Sequence, residues 1–308
     1  MKSLSAVFFG LLVFFSPLTS AFAAQAGLPS GLPSKIPCDG IVPPMPQELL
    51  RAFEEANAQV LSQPGDAMAY VKRGVAYGDR GEHEKAIEDF NHAILLDPEN
   101  ADAYFNRGFD FEMLKKFKSA FSDYRRAIKL DPGFSDAYAG AGRVLDEQGM
   151  WAEAVAAYSK AIELDPDYAE AYYSRGMAYD ALGVPGSAAD DYKKAIALNP
   201  NDACAYNNLA LDQQESGDLS SARMNYDRAI ALDPQLMTAF ANRADLNVQT
   251  GNLPAALADL DQAIRIEPKD ARLYSDRAAV HLKQGAYGSY LSDRWNSFSK
   301  KWASPKKS

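Results

Sequence analysis

The sequence predicts an all-α fold, a solenoid of antiparallel helix pairs, and three observations carry that expectation. From Ala67 onward the chain repeats itself every 34 residues without insertion or deletion. Units open at Ala67, Ala101, Ser135, Ala169, Ala203 and Met237, and a seventh, decaying one opens at Ala271. Three positions in each of the six full units are always small, and a proline closes all six: Pro98, Pro132, Pro166, Pro200, Pro234 and Pro268. Proline biases the residue before it away from the helical region, so each of these stops one unit and turns the chain into the next.

The elements before the repeat are of other kinds. Lys2 precedes a twelve-residue apolar run, Leu4 to Phe15, and Ala21-Phe22-Ala23 gives a small-x-small pattern before Ala24. This is the layout of a secretory signal peptide over residues 1–23. The run is shorter than the roughly 20 residues a membrane span needs. The alternative, a buried N-terminal helix, would want a polar face that this segment lacks. An exported protein is expected, periplasmic first and secreted second, with no transmembrane segment in the mature chain. Residues 24–46 hold six prolines and read as a tether, either a passive spacer or one whose Leu, Ile and Val side chains dock on the folded part. Residues 47–66 read as a lone capping helix, with Ala52 and Ala56 on repeat positions and Pro64 ending it.

The repeat itself has a physical logic. Position eight is Gly74, Gly108, Gly142, Gly176, Ala210, Ala244 and Ala278; position twenty is Ala86, Ala120, Ala154, Ala188, Ala222 and Ala256; position twenty-seven is alanine throughout. Two helices approach closely only where neither presents bulk, so these positions mark the seam. Phe90, Tyr124, Tyr158, Tyr192 and Tyr226 fill the space beside it. Gly81, Gly149, Gly183, Gly217 and Gly251 stand between the helices, where a left-handed cap is wanted; Lys115 takes that place in the second unit, which predicts a strained or differently shaped turn.

Position seven pairs with position twenty-three. Arg73, Arg107, Arg175 and Arg243 precede Asp89, Asp123, Asp191 and Asp259 by sixteen residues. Where the arginine is missing, at Ala141 and Leu209, the acid is missing too, and Arg277 with Asp293 extends the rule into the seventh unit. These read as salt bridges joining the helices of one unit. At the end, residues 271–302 read as a degenerate seventh repeat and cap, with Trp295, Phe298 and Trp302 available to pack on the last unit. Residues 303–308 form a basic tail, a solvated end or a contact for anionic lipid or an acidic partner.

The 34-residue period and these signature residues resemble the tetratricopeptide-repeat (TPR) family over about residues 47–298. The resemblance implies a right-handed α-solenoid of six full repeats, 67–100, 101–134, 135–168, 169–202, 203–236 and 237–270, with partial or capping units at both ends. It also implies a concave groove lined by the first helix of each unit, holding a protein or peptide through positions two, five, six, nine, twelve and thirteen. Read onto this chain, those positions give Lys72, Asn106, Asn208 and Asn242 at six, Phe105, Tyr173 and Asn207 at five, and Phe109 and Arg143 at nine. The alternative is that these are ordinary solvent-facing residues.

Position twelve carries Glu112, Asp146 and Asp180. An acid near a helix C-terminus opposes the macrodipole. Stability therefore gives these acids no evident role, and the expectation is an acidic patch that attracts a basic or amine-bearing segment. The family's carboxylate-clamping members use lysine and arginine where this chain has acids, amides and apolar groups, so that activity does not transfer.

The rest of the inventory argues against chemistry. The net charge of −9 disfavours nucleic acid, whose affinity depends on basic side chains. His83, His92 and His281 are the only histidines, and no nucleophile motif, phosphate loop, metal-ligand cluster or cofactor box stands out. Cys38 and Cys204 form an even pair that an oxidising compartment could bridge; two free thiols fit equally well. The expected function is a non-enzymatic scaffold or adaptor of the cell envelope. The alternative is an accessory subunit of a membrane-associated complex, docked through its basic tail. Oligomeric state is left open.

Overall fold

The computed structural model describes residues 47–303. The expected signal peptide, the tether with Cys38 and residues 304–308 lie outside the described residues, as do the side chains of residues 47–49 and 301–303. The described chain is helical throughout and holds no strand. A leading helix, α1 (Gln47–Ser62), is followed by seven helix pairs: α2 (Ala67–Asp79) and α3 (His83–Leu96), α4 (Ala101–Met113) and α5 (Phe117–Leu130), α6 (Ser135–Glu147) and α7 (Trp151–Leu164), α8 (Ala169–Ala181) and α9 (Pro185–Leu198), α10 (Ala203–Ser216) and α11 (Leu219–Leu232), α12 (Met237–Gln249) and α13 (Leu253–Ile266), α14 (Ala271–Lys283) and α15 (Tyr287–Ala303). No helix among the described residues is long and apolar enough to cross a membrane.

The helices form two compact units that divide within α4, one ending at Asp110 and the other beginning at Phe111. In the first, α2 packs on both α1 and α3. Its core gathers Val71, Ala86, Phe90, Ala93 and Ala103, and the Phe53 ring meets Tyr77 edge-on at 5.0 Å between centroids. In the second, each first helix from α6 to α14 packs on its own second helix and on the second helix before it. Apolar clusters follow one another along the array, around Tyr158, then Tyr192, then Tyr226, then Leu260.

Small residues set the seam. The position-twenty alanines from Ala86 to Ala256 are all fully buried. A methyl group at Gly142 would lie 2.6 Å from the Tyr158 ring, and one at Gly176 2.8 Å from the Tyr192 ring. Both contacts are far inside van der Waals distance, so the aromatic occupies the space that the missing side chain leaves. At the interhelix turn, Lys115 adopts φ 56° beside glycines at φ 72–89° elsewhere. Its turn keeps the common bonding: Lys115 N–H donates to Glu112 O and Lys116 N–H to Phe111 O, both at 2.8 Å. The turn is therefore the usual shape, held with a side chain that disfavours it.

The position-seven arginines do more than join one pair. Arg73 grips Asp89 through Nε and Nη2 at 2.7 and 2.8 Å, and its Nη1 donates to Asn57 of α1 at 2.9 Å. Arg175 holds Asp191 twice at 2.8 Å and reaches Ser159 of the preceding unit at 3.0 Å. Arg277 holds Asp293 at 2.8 and 2.6 Å and reaches Asp261 at 2.5 Å. Each guanidinium thus ties three helices, and it also lies over an aromatic ring, Tyr70, Tyr172 or Tyr274, at 5.5–5.7 Å.

The C-terminal cap requires a correction. Trp295 and Phe298 are 69% and 54% exposed, so they turn largely away from the last unit. The Arg277–Asp293 grip fixes the rotation of α15, with Asp293 3% exposed and Ser275 bonded to Ser297 at 2.7 Å. At about 100° per residue, Trp295 lies on the opposite side of the helix from Asp293.

Candidate protein-binding surface

The surface is built on the first helices, and it begins with position twelve. Four second helices bury a tyrosine at position twenty-four, and each phenol donates to position twelve of its own unit. Tyr124 reaches Glu112 at 2.6 Å, Tyr158 reaches Asp146 at 2.7 Å, Tyr192 reaches Asp180 at 2.5 Å and Tyr226 reaches Gln214 at 3.0 Å. Burial pushes these phenols up, so they remain protonated donors. The position-twelve acids therefore do have a role in stability, contrary to expectation: each one satisfies a buried hydroxyl that would otherwise be orphaned. Where position twenty-four is Phe90 or Leu260, position twelve is Gly78 or Val248. That covariation, twelve residues apart, is the signal in the sequence that reveals the pairing.

Position nine adds charge. Arg143 donates to both oxygens of Glu112, at 2.9 and 3.2 Å, and stands 3.7 Å from Glu170. Burial pushes the Glu170 carboxyl up; Arg143 pulls it back, and Glu112, Asp136 and Asp202 push it up again. Glu112 and Glu170 thus share one guanidinium, with Asp136 and Asp202 near Glu170, which leaves an excess of negative charge on a half-open surface in units two to four.

The amides are joined to one another. Asn208 donates to the Tyr173 hydroxyl at 3.3 Å, Asn207 to Asn208 at 3.1 Å, and Asn242 to Asn207 at 3.0 Å, a ladder across three first helices. Position five faces inward from Val71 to Asn207. Phe105, Tyr173 and Asn207 are 6–7% exposed, which corrects their reading as groove-lining side chains. Asn208, Asn242, Arg143, Asp146 and Asp180 are half-buried. In the compact unit that ends at Asp110, Lys72 is exposed and 3.5 Å from Gln59, Asn106 donates to its own helix at Asp102 O, and Phe109 is half-buried.

Two buried acids stand outside the sequence expectations. Position ten is Ala76, Val144, Ala178, Leu246 or Val280 in five units but Asp110 and Asp212 in the others. Asp110 is 2% exposed and lies 2.7 Å from His83 Nδ1. Burial pushes its carboxyl up to about 6, against the pull of His83. Asp212 is raised by burial and by the facing Asp180. Its Oδ2 is buried without a partner, and Asp180, itself pushed up by burial, accepts from Tyr192. An acid at an apolar core position is the signal for both.

The remaining candidates do not converge. His92 lies against Tyr70 at 5.3 Å between ring centroids, and His281 stands 3.7 Å from Asp293. No group of three metal-ligating side chains occurs among the described residues. Cys204 is half-buried, with its thiol pushed up to about 11 by burial; its candidate partner Cys38 lies outside the described residues.

Comparison with known proteins agrees with this architecture. The family described as TPR repeat matches residues 74–115, 142–183 and 244–285. The family described as tetratricopeptide repeat matches residues 101–134 and 169–202 in one form and 191–224 in another. Among solved structures, a chain of the APC/C hetero-tetramer Cut9–Hcn1 is 19% identical at a TM-score of 0.64, over 83% of this chain and 51% of that one. The protein therefore spans about half the length of that relative. YrrB, titled a TPR protein with an unusual peptide-binding site, is 29% identical at a TM-score of 0.53, over 64% of this chain and 99% of that one. PilF of Pseudomonas aeruginosa is 23% identical at 0.61, over 70% and 94%. No curated protein sequence matches the chain. The 34-residue register, the paired helices and these matches together place the chain in the tetratricopeptide-repeat family.

Proposed function

We propose that the protein is a non-enzymatic scaffold of the cell envelope that holds a basic or amine-bearing segment of a partner at the first-helix acids Glu112, Asp136 and Glu170 of units two to four. TPR proteins are protein–protein interaction scaffolds, and YrrB, at 29% identity, is described by its peptide-binding site. One observation carries the finer reading. Glu170, its side chain 26% exposed, sits among Glu112, Asp136 and Asp202 with Arg143 as the facing cation. A cationic side chain from a partner is the chemical complement to that surplus, and the following two first helices carry Asn208 and Asn242, whose amides suit a peptide backbone.

The test is a photoreactive residue at Asn208, crosslinked in the source cells and read by mass spectrometry. A discrete adduct that disappears with Glu170→Lys or Asp136→Lys supports the reading; absence of an adduct, or one indifferent to both charge reversals, overturns it. Periplasmic residence rests on the apolar run and small-x-small pattern of residues 1–23. It is checked by fractionation and by a mature N-terminus near Ala24, and recovery of the uncleaved chain in the cytosol would refute it.

A further inference from the structure

The last described helix carries an exposed apolar stripe. Tyr287, Leu291, Trp295 and Phe298 recur at four, four and three residues, so they line one face of α15. They are 66%, 65%, 69% and 54% exposed. The corresponding apolar positions of the preceding second helix, Leu253, Leu257 and Ile264, are half-buried in a cluster with Leu273 and Val280 of the next first helix. The stripe is thus the face that a further first helix would take.

Charge selects the occupant. Residues 278–308 contain six lysines and arginines and one acid, Asp293, in a chain of net charge −9. That one acid is already gripped by Arg277. Arg294 is exposed beside the stripe, and the sequence adds Lys301, Lys306 and Lys307. Two copies of α15 packed stripe to stripe would bring two basic helices together. Their four side chains offer roughly 400–550 Å² per copy, below the roughly 800 Å² per partner of a stable interface. An aromatic-rich stripe flanked by lysine and arginine on an otherwise acidic protein is instead the pattern of a helix lying in a membrane surface.

We propose that α15 binds the surface of a bilayer rich in anionic headgroups, with Tyr287, Leu291, Trp295 and Phe298 entering the headgroup boundary and the surrounding basic residues meeting the lipid phosphates. The stripe belongs to a second helix and shares no residue with the first-helix carboxylates. Vesicle binding and crosslinking at Asn208 therefore succeed or fail separately.

The experiment is flotation of the purified protein with vesicles of equal parts phosphatidylglycerol and phosphatidylcholine, against phosphatidylcholine alone. Binding is expected to be at least about tenfold stronger to the anionic vesicles and to weaken with added salt. The pair Leu291→Ser and Trp295→Ser should lower it by about tenfold or more with the melting temperature unchanged, because both side chains face solvent. Should that pair fail to fold, Arg294→Gln with Lys301→Gln tests the same contact by abolishing the preference for anionic vesicles. No flotation, or flotation indifferent to both pairs of substitutions, overturns the proposal. So does sedimentation showing a dimer that Leu291→Ser and Trp295→Ser dissolve without any vesicle binding, which would assign the stripe to a second copy.

Discussion

Arg243 grips Asp259, sixteen residues later, through Nε and Nη2 at 3.0 and 2.6 Å, while its Nη1 reaches Asp227, sixteen residues earlier, at 2.7 Å. One guanidinium therefore locks its own helix pair and the pair before it. Position twenty-five of the preceding unit follows the same rule along the chain. It is Asn57, Asn91, Ser159, Asp227 or Asp261 before an arginine-bearing unit, and Arg125 or Lys193 before the two units that have Ala141 or Leu209 instead.

Removing the arginine alone should be strongly destabilising. Arg243→Ala leaves Asp259, 5% exposed, as an uncompensated buried charge, for a loss of about 3 kcal/mol. Arg243→Ala with Asp259→Ala copies the arrangement of unit three and should cost less than the single change. Chemical denaturation of both variants measures it; a double variant less stable than the single one would refute the charge-burial account.

Stability should also record the raised carboxyl of Asp212, which faces Asp180. Burial and the facing carboxylate raise Asp212 above its unfolded value of about 3.9. The folded state then binds more protons than the unfolded state across the interval between the two values. Stability is fully present below the unfolded value and is lost as pH rises through the folded one. Asp212→Asn supplies a permanent donor to Asp180, so it should stabilise by about 1–2 kcal/mol at pH 8 and change nothing at pH 4. Melting temperatures of the two proteins at both pH values test this, and equal shifts at the two values would count against it.

The turn at Lys115 makes a simpler case. Its φ of 56° costs a lysine about 1 kcal/mol that a glycine does not lose. Lys115→Gly should therefore raise stability by about 1 kcal/mol, less whatever glycine gains in unfolded-chain freedom. Gly149→Ala, at φ 72°, should lower it by a similar amount. A destabilising Lys115→Gly in a thermal melt would show that contacts of the lysine side chain outweigh the backbone strain.

How much is legible in the sequence depends on whether a residue's role repeats. The seam alanines and the Arg–Asp pairs recur every 34 residues, so one reading serves all units and the helix starts can be placed to the residue. The position-twelve acids also recur, yet the helix dipole alone gives them no purpose, because their partner stands at position twenty-four. A partner on the second helix is invisible to a first-helix argument. Asp110 and Asp212 are hidden for the opposite reason: each occurs at a position that is apolar elsewhere, and a period-based reading averages such departures away. The exposure of Trp295 is beyond the pattern, because aromatic content says nothing of helix rotation, and here the Arg277–Asp293 grip sets it.

The tyrosine–acid bonds lead to a pH-dependent prediction. Asp146 accepts from Tyr158 through Oδ2, while its Oδ1 is buried without a partner, and burial pushes its carboxyl up to about 6. The phenol pulls in the other direction, so Tyr158→Phe should push the carboxyl higher still. At pH 8 the variant must either keep a buried carboxylate with no donor or retain a proton against the solvent, for a loss of about 2 kcal/mol. At pH 5 the carboxyl is already mostly protonated, and the loss should shrink to about half of that. Adding Asp146→Val, which reproduces the apolar pairing of Val248 with Leu260, should recover most of the stability at pH 8. Urea midpoints of the single and double variants at the two pH values decide it: a Tyr158→Phe cost that is the same at pH 5 and pH 8 would mean that the acid's ionisation is not what the phenol stabilises.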